Sequence, residues 1–166
     1  MQYSMNGVHS IRYLEKKDAP ELARLEKTYF SSSWTEEQFV KLLRLSHQAL
    51  SDGGQLPLWC AFGIFIPVEK LVGYISLALD VPGLLLEVHN IAIQQDLRQQ
   101  GLAGVLLRHA LNWGRIKGFK RCLLEVREGN MPALKLYAKE GFKALGRRKN
   151  YYADTGEDAI VMASEL

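Results

Sequence analysis

Between Asn90 and Ala103 the chain reads Asn-Ile-Ala-Ile-Gln-Gln-Asp-Leu-Arg-Gln-Gln-Gly-Leu-Ala. An apolar strand gives way to a polar loop, and an R-x-x-G-x-A pattern then opens a helix. This order suits the binding of an anion. The first amides of a helix have no intrahelical acceptor, and the helix dipole places partial positive charge on them. Arg98, Gln99, Gln100, Gly101, Leu102, Ala103 and Gly104 supply the loop and the first turn. Gly101 lets the backbone approach a pyrophosphate without an intervening Cβ, and Ala103 is small enough for similarly close packing. A turn of this kind also serves structure alone, so the segment by itself does not decide.

A second group of motifs follows: Leu124-Glu125-Val126-Arg127-Glu128-Gly129-Asn130, then Ala133-Leu134-Lys135-Leu136-Tyr137 and Glu140-Gly141-Phe142. Taken with the first run, these resemble the acetyl-CoA site of the GNAT N-acetyltransferases. The pattern L-E-V-R-x-x-N, the L-Y-x-x-x-G-F, and the tail from Arg147 to Met162 (Arg147-Arg148-Lys149-Asn150-Tyr151-Tyr152, then Glu157-Asp158-Ala159-Ile160-Val161-Met162) resemble the RimI-type branch. Those enzymes acetylate the N-terminal alanine of a small-subunit ribosomal protein. The resemblance is close from Asn90 to Met162 and looser before it.

The resemblance implies acetyl-CoA as co-substrate, with contacts from Ile91, Ala92 and Ile93, the segment from Arg98 to Gly104, and Asn130. It implies a general base at Glu125 and a general acid at Tyr137, which would reach the leaving sulfur. Read without it, Glu125 in an apolar strand is an ion-pair partner to Arg127 or Arg98. Tyr137 is then a core aromatic, unless Leu136 takes that place, and Asn130 is a helix cap. Transfer of an acetyl group needs a neutral amine, a polarised carbonyl and a proton for the thiolate; amides near Ala92 and Ile93 suit the second task. An α-amine ionises near 7.7–8.0 and lysine near 10.4, so neutralising lysine is about 3.4 kcal/mol harder. A single carboxylate base is therefore better matched to a protein N-terminus.

The elements that must position these groups are readable in outline. His9–Leu14 reads as a strand. A helix from the Asp18/Glu21 capping box to about Phe30 carries Leu22, Leu25, Glu26 and Tyr29 at helical spacing. Thr35 caps a second helix through Glu37 or Gln38, with Phe39, Leu42, Leu43 and Leu50 inward, and Ser51-Asp52-Gly53-Gly54 signals a turn. Strands follow at Leu58–Ile66, Leu71–Leu79 and Leu84–Ile93, then a helix over Gly101–Lys117 and a strand over Lys120–Arg127. Asn130 caps a fourth helix that Gly141 ends, and strands at Lys143–Lys149 and Asp158–Ala163 close the chain. The βαβ unit makes Leu84–Ile93 and Lys120–Arg127 parallel, and a cofactor in such a sheet binds outside the strands' carboxyl ends. The expected fold is α+β in an α/β/α arrangement: a mixed sheet of about seven strands with four helices, in one domain over residues 1–166. The GNAT resemblance adds that the two parallel strands splay apart to admit the pantetheine arm.

The same resemblance places the acceptor cleft between Ser31–Trp34 and Asn150–Glu157. Trp34, Tyr151 and Tyr152 are candidate walls, and Glu157 or Asp158 a partner for a basic second residue of the acceptor; ordinary loop packing accounts equally well for each. His89 reads as a packed or hydrogen-bonded strand residue. With 48% hydrophobic and 23% charged residues in 166, the composition is that of an ordinary globular protein. No secretion signal or bilayer-length apolar run is apparent, which points to a cytoplasmic protein with no membrane partner. Cys60 and Cys122 lack metal-ligand spacing and read as buried free thiols, and no metal is implied. A net charge of +3 does not argue for nucleic acid, and Arg147, Arg148 and Lys149 read as a solvated strand edge. The expected partner is a protein N-terminus, that of a small-subunit ribosomal protein, acted on by a monomer or weak dimer. Alternatives are a GNAT enzyme for lysine side chains or small amines, and a non-catalytic acetyl-CoA-binding module.

Overall fold

A computed structural model describes residues 9–31, 33–51 and 56–166. Its strands are β1 (Ser10–Tyr13), β2 (Trp59–Ile66), β3 (Lys70–Asp80), β4 (Leu85–Ile93), β5 (Arg121–Arg127), β6 (Lys143–Tyr152) and β7 (Glu157–Glu165). The α-helices are α1 (Ala19–Tyr29), α2 (Glu36–Ser51), α3 (Leu102–Ile116) and α4 (Met131–Lys139). One seven-stranded sheet runs in the order β1-β2-β3-β4-β5-β7-β6. The β4–β5 pair is parallel and the other neighbours are antiparallel. Among the described residues no helix is long and apolar enough to cross a membrane.

Each face of the sheet buries its own core. Leu22 and Leu25 of α1 with Phe39 and Leu43 of α2 pack on Trp59, Ala61, Phe65 and Tyr74. On the other face Leu106, Leu107 and Ala110 of α3 and Tyr137 of α4 pack on Phe62, Ile75, Leu86 and Leu124. Both thiols, Cys60 and Cys122, are free and buried, and burial pushes each up to about 12.

Most expected elements form within a residue or two of their sequence signals, with informative exceptions. The capping box lies one turn earlier than Asp18/Glu21 suggests. Asp18 accepts from the Glu15 amide (2.8 Å) and from both terminal nitrogens of Arg12, closing a short 3-10 turn at Lys16–Asp18, while Glu21 pairs with Arg24. At α2 the cap is as read: Thr35 Oγ1 accepts from the Gln38 amide and the Gln38 side chain from the Thr35 amide. Strand β6 continues to Tyr152, so Tyr151 and Tyr152 end a strand and the turn that follows is short. The inward position expected of Leu50 and the turn at Asp52-Gly53-Gly54 lie outside the described residues.

Two irregularities in the sheet shape the region that carries the motifs. On β4, Ser76 of β3 pairs with Asn90 and Leu77 with Val88, which leaves His89 as a bulged extra residue. The bulge inverts the alternation of faces. Leu86 and Val88 before it point toward α3, and Ile91 and Ile93 after it do so too. Asn90 and Ala92 are thereby turned to the α1/α2 side. The second irregularity is that β4–β5 pairing covers only Leu85–Val88 against Arg121–Leu124, after which the strands separate.

Gly73, opposite Ile93, holds the end of β4 close to β3. A Cβ there would lie 2.7 Å from the Ala92 carbonyl oxygen and 2.4 Å from the Ile93 side chain. Backbone cannot yield as a side-chain tip can, so Gly73→Ala is expected to destabilise the fold by about 1–3 kcal/mol in urea unfolding. An unchanged midpoint would show that β4 is free to move.

Candidate active site

Where β4 and β5 part, the structure opens two cavities that meet. One, of about 680 Å³, lies on the α3/α4 side and is lined by Ile91, Ala92, Ile93, Arg98, Gln99, Gly101, Leu102, Ala103, Gly104 and Asn130, among others. Ten of the eleven residues expected to hold a cofactor thus surround one space; Gln100 is exposed and not part of its lining. Gly101 sits at the start of α3 with φ of 81°, in the left-handed region, and nothing lies within 4 Å of where its Cβ would be. Glycine is needed there for its conformation. The first intrahelical bond runs from the Val105 amide to the Gly101 carbonyl, so the Leu102, Ala103 and Gly104 amides precede the ladder. The Arg98 guanidinium donates to the Ile93 carbonyl at 3.0 Å and lies over the Tyr29 ring, bracing the loop against the end of β4. These groups fit a pyrophosphate at α3 and a pantetheine arm in the gap between the strands.

The other cavity, of about 600 Å³, lies on the α1/α2 side. Trp34, Tyr151 and Tyr152 all line it. Trp34 packs on Phe39 and Trp59. Ser31 donates to Asp154 at 2.6 Å, tying the α1–α2 loop to the β6–β7 turn. Glu125 reaches this cavity because Cys122, Leu124 and Val126 take the opposite face of β5. Its ion-pair partner is Arg148, at 2.9 Å, rather than Arg127 or Arg98, and the Tyr151 hydroxyl also bonds to it. Arg127 is engaged instead by Asp154 and Glu157 and covers the Tyr152 ring. Asp158 takes Arg147 and the Asn150 amide. Glu157 and Asp158 are therefore committed to the β6–β7 hairpin and do not await a substrate charge. Glu87, one strand over, lines the same cavity, and among the described residues it has no ion-pair partner.

The two cavities share Tyr29, Phe30, Ile91, Asn130, Ala133 and Tyr137. Tyr137, rather than Leu136, is the buried member of the L-Y pair, packed on Phe142. Burial above all, then the nearby Tyr152, pushes its hydroxyl well above the usual phenol range, so it is held protonated. Asn130 caps α4 by accepting from the Ala133 amide at 3.3 Å while facing both cavities. His89 is exposed at the bulge and lines the α1/α2-side cavity, contrary to the packed position expected of it.

One group was legible only as an inward position on α1. Glu26 is fully buried. Its carboxylate accepts from the Asn90 side-chain amide at 2.8 Å, from the Tyr74 hydroxyl and from the Trp34 backbone amide. Burial outweighs these donors and pushes it up to about 7. The sequence signal was a carboxylate between Leu25 and Tyr29 on an apolar helical face, which its spacing alone does not separate from a structural ion pair.

Residues 19–142 match the acetyltransferase (GNAT) family. A relative from Bacillus subtilis is 32% identical over 156 residues, covering 92% of this chain and 93% of its own. An Escherichia coli K12 relative, named ribosomal protein bS18-alanine N-acetyltransferase, is 31% identical over 160 residues, covering 94% and 97%. The crystal structure of the ribosomal-protein-S18-alanine N-acetyltransferase from Escherichia coli superposes with a TM-score of 0.77 at 27% identity, over 96% of this chain and 94% of that one.

Two outcomes check this geometry. Gly101→Ala forces a side chain into the left-handed region, so coenzyme A should bind severalfold more weakly by calorimetry, at a stability cost of about 1 kcal/mol. Glu26 binds a proton more tightly in the folded state than its ordinary value of 4.5 allows, so its contribution favours folding at low pH and fades as pH rises toward about 7. Across that window the thermal midpoint of wild type should fall relative to that of Glu26→Gln; parallel curves would contradict the assignment.

Proposed function

This chain belongs to the acetyltransferase (GNAT) family and is an acetyl-CoA-dependent N-acetyltransferase; from that premise we propose that it is a RimI-type enzyme acting on a protein N-terminus, the N-terminal alanine of a small-subunit ribosomal protein. The observation that carries the proposal is the junction of the two cavities. Ile91, Asn130 and Tyr137 belong to both, and Glu125 opens into the α1/α2-side cavity alone. An acceptor amine and a donor thioester entering from opposite faces would meet there, with one proton-handling group on each side.

Acetyl-CoA, when bound, supplies the thioester whose acetyl group is transferred. The cofactor-side residues would be Ile91–Ile93, Arg98–Gly104 with its free helical amides, and Asn130. Past Val88 the β5-facing backbone of β4 has no strand beside it, which leaves amides near Ala92 and Ile93 suited to polarise a carbonyl. Glu125 Oε takes a proton from the acceptor amine, directly or through water. Tyr137 Oη, held protonated by burial, gives a proton to the leaving sulfur. Trp34, Tyr151 and Tyr152 flank the peptide. Glu87, which has no ion-pair partner among the described residues, is positioned for a basic second residue in place of Glu157 or Asp158.

The α-amine preference follows from the base. Glu125 is bonded by Arg148 and by the Tyr151 hydroxyl. A lone carboxylate base is better matched to an α-amine near pH 8 than to a lysine near 10.4.

Glu125→Gln and Tyr137→Phe are each expected to lower kcat by about 10²–10⁴ with the fold intact by circular dichroism. The substrate is tested by mass spectrometry with two peptides, one starting with free alanine followed by arginine, the other N-terminally blocked with an internal lysine. Acetylation of the first alone is expected. Labelling of the second alone would make the protein a lysine acetyltransferase, and wild-type turnover by both variants would remove the assigned roles.

A further inference from the structure

Among the described residues, Glu26 is the one buried carboxylate beside the acceptor cavity that the proposed acetyl transfer does not use. Its side chain is fully buried in the wall of that cavity. Its three donors come from three different elements: the Trp34 amide from the α1–α2 loop, the Tyr74 hydroxyl from β3, and the Asn90 amide from β4 beside the bulge. Two of them border the cavity. Trp34 is a wall of the cavity, and Asn90 precedes Ile91 at the junction.

We propose that Glu26 is a positioning residue for the acceptor peptide, its carboxylate fixing the α1–α2 loop to the β4 bulge and so setting the shape of the acceptor cavity. The proposal rests on the reading of that cavity as the peptide site. A carboxylate offers about four acceptor positions and satisfies three donors at once. Once protonated it must donate one hydrogen itself. Tyr74 must then turn its hydroxyl round, or the Trp34 or Asn90 amide loses its partner. The loop therefore loosens when Glu26 takes up a proton, and peptide binding weakens as pH falls through the neutral range.

The surroundings leave Glu26 as the group that responds. Across the cavity stand Glu87 and His89 of β4, Glu125 and Arg127 of β5, and Tyr151 and Tyr152 of β6, with Tyr29 one turn along α1. Glu125 is paired with Arg148, and Arg127 with Asp154 and Glu157. None of these groups across the cavity donates to Glu26, whose donors are Trp34, Tyr74 and Asn90. Keeping an acid desolvated is costly to folding, which fits a group retained for what it does at a site.

The test follows the Trp34 backbone amide by NMR in the substrate-free protein, with peptide kinetics beside it, from pH 6 to 8.5. In wild type the Trp34 amide should titrate with a midpoint near 7, and KM for an alanine-starting peptide should rise below it. Glu26→Gln should abolish the titration and raise KM about tenfold, with kcat and coenzyme A affinity changing far less. Tyr74→Phe keeps the shape and removes one donor to the charged form, so the midpoint should move to higher pH. The substrate amine titrates identically with every variant, so a transition that moves with the variant belongs to the enzyme. The NMR arm needs no substrate and decides on the clamp even if the peptide proves not to be acetylated. A Trp34 amide that does not titrate, a Tyr74→Phe midpoint equal to wild type, or an unchanged KM in Glu26→Gln would overturn the proposal.

Discussion

Strands β4 and β5 hydrogen-bond over Leu85–Val88 and Arg121–Leu124 and then diverge, although both continue, to Ile93 and Arg127. Backbone groups that lose a neighbour in the middle of a sheet each forfeit on the order of 1–3 kcal/mol if nothing replaces it. The fold accepts this because everything around the gap is held from elsewhere. Beyond Val88, β4 stays paired to β3 as far as Ile93, and β5 stays paired to β7 along its whole length. The gap is thus open on one edge of each strand and fixed on the other. A slender chain can pass through it from the α3 face to the α1 face.

The bulge at His89 is the companion of this divergence. Had the pleat of β4 continued unbroken, Asn90 would have pointed toward α3 and Ile91 toward α1. The extra residue instead turns Asn90 to Glu26 and Ile91 to the junction of the cavities. On β5 the alternation is regular, and it sends Glu125 to the α1/α2 side while Leu124 and Val126 fill the core. The proposed base and acid therefore stand on opposite faces of the sheet: Glu125 on β5, Tyr137 on α4. Chemistry on one molecule drawn from each side follows from that arrangement.

Much of this was legible in the sequence because it is local. Asn130 with Pro132, Thr35 with Gln38, and Gly101 before Leu102-Ala103 are signals spanning three or four residues, and each forms what its spacing suggests. What was hidden depends on pairings distant in the chain. Glu125 meets Arg148 across β7, because β7 is inserted between β5 and β6 in the sheet. Asp18 serves Arg12 on the preceding strand rather than its own helix, since a guanidinium fork offers two charged bonds where an amide offers one. Glu26 reads as one more inward-facing position until Tyr74 and Asn90, 48 and 64 residues away, close around it. Arg147, Arg148 and Lys149 form the solvated edge their composition suggests, but the local signal ends the strand at Lys149, whereas pairing with β7 carries it to Tyr152 opposite Glu157.

The account stands on acceptor and donor meeting through the gap between β4 and β5. The most direct measurement is a crystal structure with a bisubstrate conjugate, coenzyme A joined through an acetyl bridge to the α-amine of an alanine-starting peptide. The account predicts the bridge beside Ile91, with Tyr137 next to the sulfur, Glu125 facing the α-nitrogen, and the peptide between Trp34 and Tyr151. A conjugate whose peptide lies outside that cavity, or whose nitrogen is remote from Glu125, would contradict it.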